Sequence, residues 1–268
     1  MSDDEGPLET GWLAGTPVTD NLFRQFVFNQ AGVNEAVATG LGGRVERRDG
    51  VLLADARSPV PYNNQGLLTR PLAGPDDPVL GDVEAFFTGS SRAVTILSMW
   101  PTPDLAARGW FLVGHPALVV RGPGPVDFTP RDDVEVVRVT TAEGLATTER
   151  VAAEGYPIEE AQGKPPGTAF PPSLLDSVVT ARLGLLAGEP VAVALSSTAC
   201  GVENLCLGAT LPAARRRGVW EALVWARVGD APELPAVAYT SDYSRPGFRR
   251  MGFFPVTRFT LWLRPPGT

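Results

Sequence analysis

The chain has 268 residues, of which 44% are hydrophobic and 20% charged, a composition typical of a globular protein that buries a core. Its formal net charge of -7 argues against a nucleic-acid partner, because phosphate neutralisation needs a basic face. The longest apolar runs are far shorter than the roughly 20 residues that cross a bilayer, and acids stand where a secretory signal has basic residues, so we expect a cytoplasmic protein without a membrane partner.

The first half predicts helices and strands in alternation. Apolar residues recur at helical spacing from Asn21 to about Thr39, behind a capping Asp20. Asp49-Gly50 then supplies the turn of a hairpin over 45–56. The remaining predicted elements are strands at 65–69, 93–99 and 110–121, a helix at 78–88 and a short helix at 103–108.

The second half predicts a similar order of elements. Thr140 and Glu143 offer a capping box for a helix that runs to about Glu154. The proline-rich segment 155–172 is interpreted as a binding loop or lid, because proline prevents a continuous helix there. Strands are predicted at 134–140, 182–187, 190–196, 202–211, 236–240 and 254–264, a helix at 218–228, and short helices at 173–180 and 246–251.

An internal repeat appears where the two halves end. Residues 105–115 and 248–258 share one plan, a short helix stopped by glycine and followed by an aromatic residue and a strand. The repeat predicts two tandem mixed α/β domains, residues 1–127 and 128–268, each a twisted, mainly antiparallel sheet flanked by helices. His115 is the single histidine, and Cys200 and Cys206 are the two cysteines, so no metal site is expected.

Three arginines precede a predicted helix in the second half. Arg215, Arg216 and Arg217 lead into Gly218, after which the helix begins. Unpaired N–H groups at a helix start, the positive end of the helix dipole and neighbouring guanidinium groups together favour a diphosphate. The alternative is that the arginines only form a solvated helix cap.

The run from Leu211 to Leu223 resembles motif A of the GNAT superfamily of N-acyltransferases, whose Gln/Arg-x-x-Gly-x-Gly/Ala signature receives the pyrophosphate of coenzyme A. Arg215 and Gly218 match this signature, but Trp220 stands where the family has Gly or Ala. Residues 238–253 look like motif B, with Phe248 at a position where many members have a tyrosine that protonates the departing thiolate.

The resemblance implies two GNAT-like domains and acetyl-CoA or another acyl-CoA as cosubstrate. It also implies direct transfer of the acyl group to an amine, here the amine of a small-molecule acceptor, by a monomer or homodimer. The residues expected to contact the cosubstrate are Gly208, Ala209, Thr210, Leu211, Arg215, Arg216, Arg217, Gly218, Val219, Trp220, Ser241 and Phe248.

Catalytic residues are assigned by the same resemblance. Glu203 is close to where some members carry a carboxylate base, and Gly208 is a candidate for the strand bulge that exposes an N–H group to the thioester carbonyl. Ser241 and Tyr243 are the nearest hydroxyls that could replace the missing tyrosine. Their alternative roles are a helix cap and a surface turn residue.

The first half lacks the phosphate-binding signature. Asp76 and Asp77 lie where the loop would fall, and negative charges there repel a pyrophosphate. This half is interpreted as a degenerate copy that either shapes the substrate cleft or holds the pair of domains together. Two alternatives to small-molecule acylation remain, a catalytically inactive acyl-CoA sensor or structural protein, and an acyltransferase acting on protein lysines.

Overall fold

The computed structural model describes residues 16–156 and 158–267. Its helices are α1 (Leu22–Gly40), α2 (Pro78–Phe86), α3 (Ala142–Gly155), α4 (Val219–Val228) and α5 (Arg245–Arg250). The strands are β1 (Arg44–Arg48), β2 (Val51–Asp55), β3 (Asn64–Leu68), β4 (Val94–Ser98), β5 (Phe111–Gly114), β6 (Ala117–Arg121), β7 (Val134–Arg138), β8 (Val179–Leu186), β9 (Glu189–Ala199), β10 (Val202–Thr210), β11 (Ala236–Thr240), β12 (Phe254–Arg258) and β13 (Thr260–Arg264).

The strands form two sheets. The first has the order β1-β2-β3-β4-β13-β5 and the second the order β12-β6-β11-β10-β9-β8-β7. Neighbouring strands are antiparallel except β3 with β4 and β10 with β11, each of which is a parallel pair joined through a helix. The predicted architecture of two mainly antiparallel sheets flanked by helices is confirmed.

The two halves exchange one strand each. β6 lies in the second sheet between β12 and β11, and β13 lies in the first sheet between β4 and β5. The single strands predicted at 110–121 and 254–264 are therefore wrong, since each divides into two strands of different sheets. Pro116 and Phe259 mark the divisions and are joined by a hydrogen bond from Phe259 N to Pro116 O of 2.9 Å. The sheets do not divide at the predicted domain boundary of residues 127 and 128.

The crossing between the sheets also fixes the single histidine. The Nδ1 atom of His115 lies 3.1 Å from the main-chain oxygen of Phe259. Because a carbonyl oxygen only accepts, Nδ1 carries the hydrogen in this contact. His115 thus has a structural role at the strand exchange.

Helix α1 belongs to the first half by sequence but packs against both sheets. Val33 and Val37 share a buried cluster with Leu145 of α3 and with Leu183 and Val193 of the second sheet. Burying apolar surface between the halves stabilises their contact by roughly 25 cal/mol per Å². The packing of α1 therefore joins the two halves through a shared core.

Local signals account for most element boundaries. Asn21, rather than Asp20, caps α1 by accepting from Arg24 N, and Thr141, rather than Thr140, caps α3 by accepting from Gly144 N. The predicted short helices at 103–108 and 173–180 are the 3-10 turns Ala106–Arg108 and Pro172–Asp176. Within the described ranges, none of the helices has the length and apolar character needed to span a membrane.

Candidate functional site

A fork opens between the two parallel strands of the second sheet. β10 and β11 pair through Glu203 with Ala236 and through Asn204 with Val237, and their register ends there. β10 continues along β9 to Thr210, whereas β11 continues along β6 to Thr240. Both strands therefore present a main-chain edge to the space between them, which we call the fork.

The bulge in β10 lies at the start of this fork. The register with β9 shifts between Asn204 and Leu207, whereas Gly208 pairs normally with Ala194. The prediction that Gly208 forms the bulge is therefore wrong, and Leu205 and Cys206 occupy it. A bulge leaves main-chain groups without a strand partner. In this protein, a side chain from a helix donates a hydrogen bond to a carbonyl next to the bulge.

That side chain is Arg227 of α4, which is completely buried. Its Nη1 donates to Leu195 O at 3.1 Å and to Leu207 O at 2.8 Å, and its Nε donates to Leu223 O at 3.0 Å. Burial lowers the pKa of Arg227 to about 10, so the guanidinium remains charged at neutral pH. Arg227 thus ties α4 to the carbonyl of Leu207, where pairing with β9 resumes after the bulge.

The open end of the fork meets the arginine-rich loop before α4. Gly218 caps the helix with a left-handed φ of 86°, and Arg216 also has a positive φ of 62°. The first intrahelical bond runs from Ala222 N to Gly218 O at 3.0 Å. The N–H groups of Val219 and Trp220 precede that bond and face the loop, so the geometry suits an anion.

The three arginines of the motif make different contacts. Arg215 braces the loop, because its Nε donates to Thr210 O at 3.2 Å and its Nη2 to Gly155 O at 2.9 Å. Arg216 is exposed, and Arg217 lies 3.6 Å from a carboxylate oxygen of Asp133. Arg216 and Arg217 are therefore the motif arginines placed to reach a phosphate.

A further basic residue was missed from the sequence. The Cδ atom of Arg131 lies 3.5 Å from the position that a Cβ atom at Gly218 would take. Arg131 also donates to Asp133 at 2.9 Å, and this bond lowers the pKa of Asp133. Because Arg131 falls in a polar segment before β7, only the folded chain places it beside the phosphate loop.

The indole of Trp220 lies between β10 and α5. A Cβ atom at Gly208 would come within 3.2 Å of its Nε1, and one at Gly247 within 2.6 Å of its ring. The ring also meets Phe248 edge to face, with centroids 5.0 Å apart. The side chain therefore packs between Gly208 of β10 and Gly247 of α5.

The other residues expected to contact the cosubstrate follow the wall of the fork. Ala209 and Thr210 pair with Val193 and Ala192 of β9, and Leu211 N donates to Val191 O at 2.9 Å. These bonds fix one edge of the strand and leave its other edge turned towards β11. Gly208 and Phe248 both lie against Trp220, and the contact of these residues with a cosubstrate stays a prediction.

Glu203 lies at the closed end of the fork. Its side chain is completely buried and accepts a hydrogen bond from the hydroxyl of Thr198. Burial raises the pKa of Glu203, and its Oε1 has no protein partner among the described residues. A buried carboxyl with a raised pKa suits proton exchange, but its role as general base stays a prediction.

The two hydroxyls suggested as acids lie in the turn between β11 and α5. Ser241 Oγ accepts from Ser244 N at 3.3 Å and so supports that turn. The side chain of Tyr243 is fully exposed to solvent. The hydrogen bonds of Ser241 stay within this turn, and the catalytic role of both hydroxyls stays a prediction.

Tyr239 is the hydroxyl that sequence reasoning missed. It lies on β11 two residues past Val237, where the fork begins, and its ring packs 6.3 Å from Phe26 and 5.8 Å from Phe259 between centroids. Burial raises the pKa of Tyr239, with smaller contributions from Tyr156, Tyr62 and Cys206. Its phenol therefore stays protonated and can donate.

Cys206 faces the same region from the bulge. Its Sγ lies 3.3 Å from Asn204 O. Burial raises the pKa of Cys206 to about 12, so the group is a thiol at neutral pH and a poor nucleophile. This protonation state argues against an acyl-enzyme intermediate on Cys206.

A chain of buried amides links the fork to the first half. Asn29 Nδ2 donates to Ser197 O at 2.9 Å and to Ala199 O at 3.0 Å, which leaves its Oδ1 to accept from Asn204 at 3.1 Å. Asn204 also donates to Gln30, Gln30 to Asn34 and Asn34 to Gln65. Gln65 then donates to Thr95, whose hydroxyl donates to the main-chain oxygen of Asn64. Because carbonyls only accept, every amide orientation in the chain is determined.

In the first half, the N-terminus of α2 corresponds to that of α4, and a carboxylate of the chain itself caps it. Asp77 caps α2 by accepting from Val79 N at 3.0 Å and Ala73 N at 2.8 Å, and it pairs with Arg70 at 2.8 Å. The bond from Arg70, with those backbone bonds, lowers the pKa of Asp77 to about 2. The chain's own carboxylate therefore occupies the place that a phosphate would need.

Comparisons with known proteins agree with this architecture. No family model and no curated protein matches the chain. Among solved structures, a GCN5-related N-acetyltransferase from Kribbella flavida aligns with a TM-score of 0.62 and 22% identity over 88% of this chain and 96% of that one. A GNAT-family protein from Novosphingobium aromaticivorans aligns at 0.56 and 13% identity, over 88% and 99%.

A tandem GNAT protein from the clavulanic acid biosynthesis pathway aligns with a TM-score of 0.50 and 14% identity, over 91% of this chain and 94% of that one. At these sequence identities, the structural similarity is evidence for a shared fold. Together with the two sheets and the repeated order of elements, it establishes that this chain has the fold of the GNAT acetyltransferases, as two tandem units that exchange a strand.

Proposed function

We propose that the protein is an N-acyltransferase that moves an acetyl or other short acyl group from acyl-CoA to an amine of a small molecule by direct transfer. The observation that carries the proposal is the fork between β10 and β11, with a bulge at its closed end and an arginine-flanked helix start at its open end. This arrangement offers main-chain donors to both ends of an extended thioester.

The diphosphate would be held at the open end. The N–H groups of Val219 and Trp220 point to it from the start of α4, and Arg216, Arg217 and Arg131 surround the loop. Charge-assisted hydrogen bonds of this kind are about twice as strong as neutral ones. The described residues therefore fit the charged part of acyl-CoA.

The apolar arm of the cosubstrate meets Trp220. The indole contacts Gly208, Gly247 and Phe248 within the fork, so it has to turn away before a pantetheine arm can run along β10. The small residues on both sides provide the room once the ring has moved. The residues fit the group only with this rearrangement, whose free-energy cost weakens binding.

The closed end would carry out the transfer, for which bound acyl-CoA supplies the thioester. The N–H groups of Leu205 and Cys206 in the bulge stabilise the carbonyl oxygen. The hydroxyl of Tyr239, on the opposite strand, returns a proton to the leaving sulfur and takes over the task that Phe248 cannot perform. Glu203 removes the proton of the amine in this scheme, through Thr198 or a water molecule.

The experiment combines binding with turnover. Acetyl-CoA should raise the melting temperature of the protein, and free thiol should appear when a panel of primary amines is added. The double variant Arg216→Gln/Arg217→Gln should lose both effects, whereas Arg249→Gln/Arg250→Gln, on exposed residues of α5, should keep them. Absence of thiol release with every amine would refute the transferase.

A second candidate function is binding of acyl-CoA without transfer. Trp220 in the fork and the missing hydroxyl at Phe248 favour it. A sensor would be stabilised by acetyl-CoA yet release no thiol with any amine. The same experiment therefore separates the two functions.

A further inference from the structure

Two neighbouring cavities open in the first half, outside the fork. Their volumes are about 710 and 290 Å³, and both have the loop 88–92, which follows α2, as a wall. The larger one lies at the end of the first sheet, where Val94 of β4 pairs with Arg264 of β13. The residues that line the two cavities belong to the first sheet and its connections, whereas the fork belongs to the second sheet. We call the two cavities together the arginine pocket.

Most charged side chains of the arginine pocket are basic. Among the described residues, the arginines that line it are Arg44, Arg57, Arg92, Arg108 and Arg264. The acidic residues that line it are Asp55 and Glu84. Because the whole chain carries a formal net charge of -7, this local excess of positive charge runs against the overall charge of the protein. Such a cluster creates a positive potential that attracts anions.

Both carboxylates of the arginine pocket already have a guanidinium partner. Glu84 accepts from Nε and Nη2 of Arg108, each at 2.8 Å, and this pairing lowers the pKa of Glu84. Asp55 lies 3.3 Å from Nη2 of Arg44, which also donates to Phe86 O at 2.8 Å at the C-terminal end of α2. Arg44 and Arg108 are therefore committed to groups of the chain itself.

The other three arginines have no such partner. Within the part of the chain that the structure describes, no carboxylate forms an ion pair with Arg57, Arg92 or Arg264. Arg264 is half-buried, and its guanidinium carbon lies 4.9 Å from the ring centroid of Trp110, which holds the side chain in place. Burial also lowers the pKa of Arg264. A partly desolvated cation without a counter-ion costs free energy, and a bound anion would recover it.

The loop shared by the two cavities adds hydroxyl groups beside one of these arginines. Arg92 lines both cavities, and its N–H group donates to Ser90 Oγ at 3.2 Å, which fixes the bend of the loop. Ser91 is exposed, and a Cβ atom at Gly89 would meet no atom within 4 Å, so the wall is open to a ligand here. Serine hydroxyls can donate to the oxygens of an anion that a guanidinium holds.

We propose that the arginine pocket binds a small-molecule phosphate monoester, with Arg92 and Arg264 as the donors to the phosphate. A guanidinium group matches the geometry of phosphate oxygens, and more than one unpaired cation favours a dianion over a monoanion. The volume of the larger cavity falls within the roughly 300–1,000 Å³ of small-molecule pockets, which leaves room for the organic part of the ester. This site is independent of the proposed acyl transfer.

Phenyl phosphate and phenyl sulfate test the charge preference. They have similar shapes, but at pH 8 the phosphate is a dianion, because its second pKa is about 6, and the sulfate is a monoanion. Binding is measured by calorimetry on the full chain without acetyl-CoA. Phenyl phosphate should bind at least roughly fivefold more tightly than phenyl sulfate. Equal binding of the two compounds, or no binding of phenyl phosphate, would overturn the proposal.

Matched double variants locate the site. Arg92→Gln/Arg264→Gln should weaken phenyl phosphate binding at least roughly tenfold, because it removes two charged donors. Arg249→Gln/Arg250→Gln removes the same charge from exposed positions of α5 and should leave the affinity unchanged. If both variants weaken binding equally, the overall charge of the protein accounts for it and the site is refuted.

A third double variant separates the arginine pocket from the loop before α4. Arg216→Gln/Arg217→Gln should bind phenyl phosphate as the wild type does. Loss of binding in this variant, with full binding in Arg92→Gln/Arg264→Gln, would place the phosphate at α4 and contradict the proposal.

Melting curves identify any variant that fails to fold. Arg264 packs on Trp110, so Arg92→Gln alone, in the loop 88–92, decides the question if the double variant is unfolded. This single variant should weaken phenyl phosphate binding at least about threefold, and an unchanged affinity would overturn the assignment.

Discussion

Removing the indole of Trp220 should tighten binding of acyl-CoA. The ring has to leave the fork before a pantetheine arm enters, and this step costs free energy. Losing the edge-to-face contact with Phe248, at 5.0 Å between centroids, costs roughly 0.5–1.5 kcal/mol. Exposing the half-buried ring surface that covers Gly208 and Gly247 costs roughly a further 1–2 kcal/mol.

The sum, about 1.5–3.5 kcal/mol, is a penalty that the wild-type protein carries in every binding event. Trp220→Ala removes it, so the Kd for acetyl-CoA should fall roughly 10- to 400-fold. The variant should at the same time lose about 2–3 kcal/mol of unfolding free energy, because a half-buried indole is deleted. Calorimetric titration and urea denaturation measure the two effects independently.

Trp225 provides the matched control. It lies on the same helix, is also half-buried, and stacks with Phe128 at 6.1 Å between centroids, away from Gly208 and Gly247. Trp225→Ala should cost similar stability and leave the affinity for acetyl-CoA unchanged. If Trp220→Ala binds acetyl-CoA no more tightly than the wild type, the indole does not obstruct the fork and the reasoning is refuted.

Tyr239→Phe should lower kcat at least tenfold and leave KM for acetyl-CoA within twofold, as expected for loss of a proton donor; an unchanged kcat would exclude the phenol as the acid. Asn29→Ala removes the donor to two main-chain oxygens and one of the two acceptors of Asn204, so urea denaturation should show a loss of about 2–4 kcal/mol, and a loss below about 1 kcal/mol would mean that water replaces the amide. Asp77 has a pKa lowered to about 2, so its stabilising contribution is complete above about pH 5 and disappears as the pH falls through and below about 2. Asp77→Asn should therefore be less stable than the wild type at pH 7, with a difference that shrinks steadily below about pH 4, and a stability difference independent of pH would contradict this assignment.

Local sequence signals predicted the elements but not all of their partners. Helices α1, α3 and α4 follow from apolar spacing and capping residues, and the hairpin turn follows from Asp49-Gly50. The segments 110–121 and 254–264 look like continuous strands because their apolar character does not change at Pro116 or Phe259. Which sheet each part joins depends on contacts between distant segments, and a local pattern carries no information about it.

The parts of the site whose residues are close together in the sequence could be predicted. The loop around Gly218 was found from its arginines, and Trp220 was noticed as a departure. The position of the bulge was missed because it depends on the register between β9 and β10, which no residue of β10 marks by itself. Tyr239 and Arg131 were missed because their neighbours come from segments far apart in the chain.

A crystal structure of the protein with coenzyme A tests the central claim most directly. We expect the diphosphate on the N–H groups of Val219 and Trp220, and the pantetheine arm between β10 and β11. The sulfur should lie near Cys206 and Tyr239, and the indole of Trp220 should have left its place beside Gly247. Coenzyme A bound elsewhere, or a fork still filled by the indole at saturating ligand, would contradict the account.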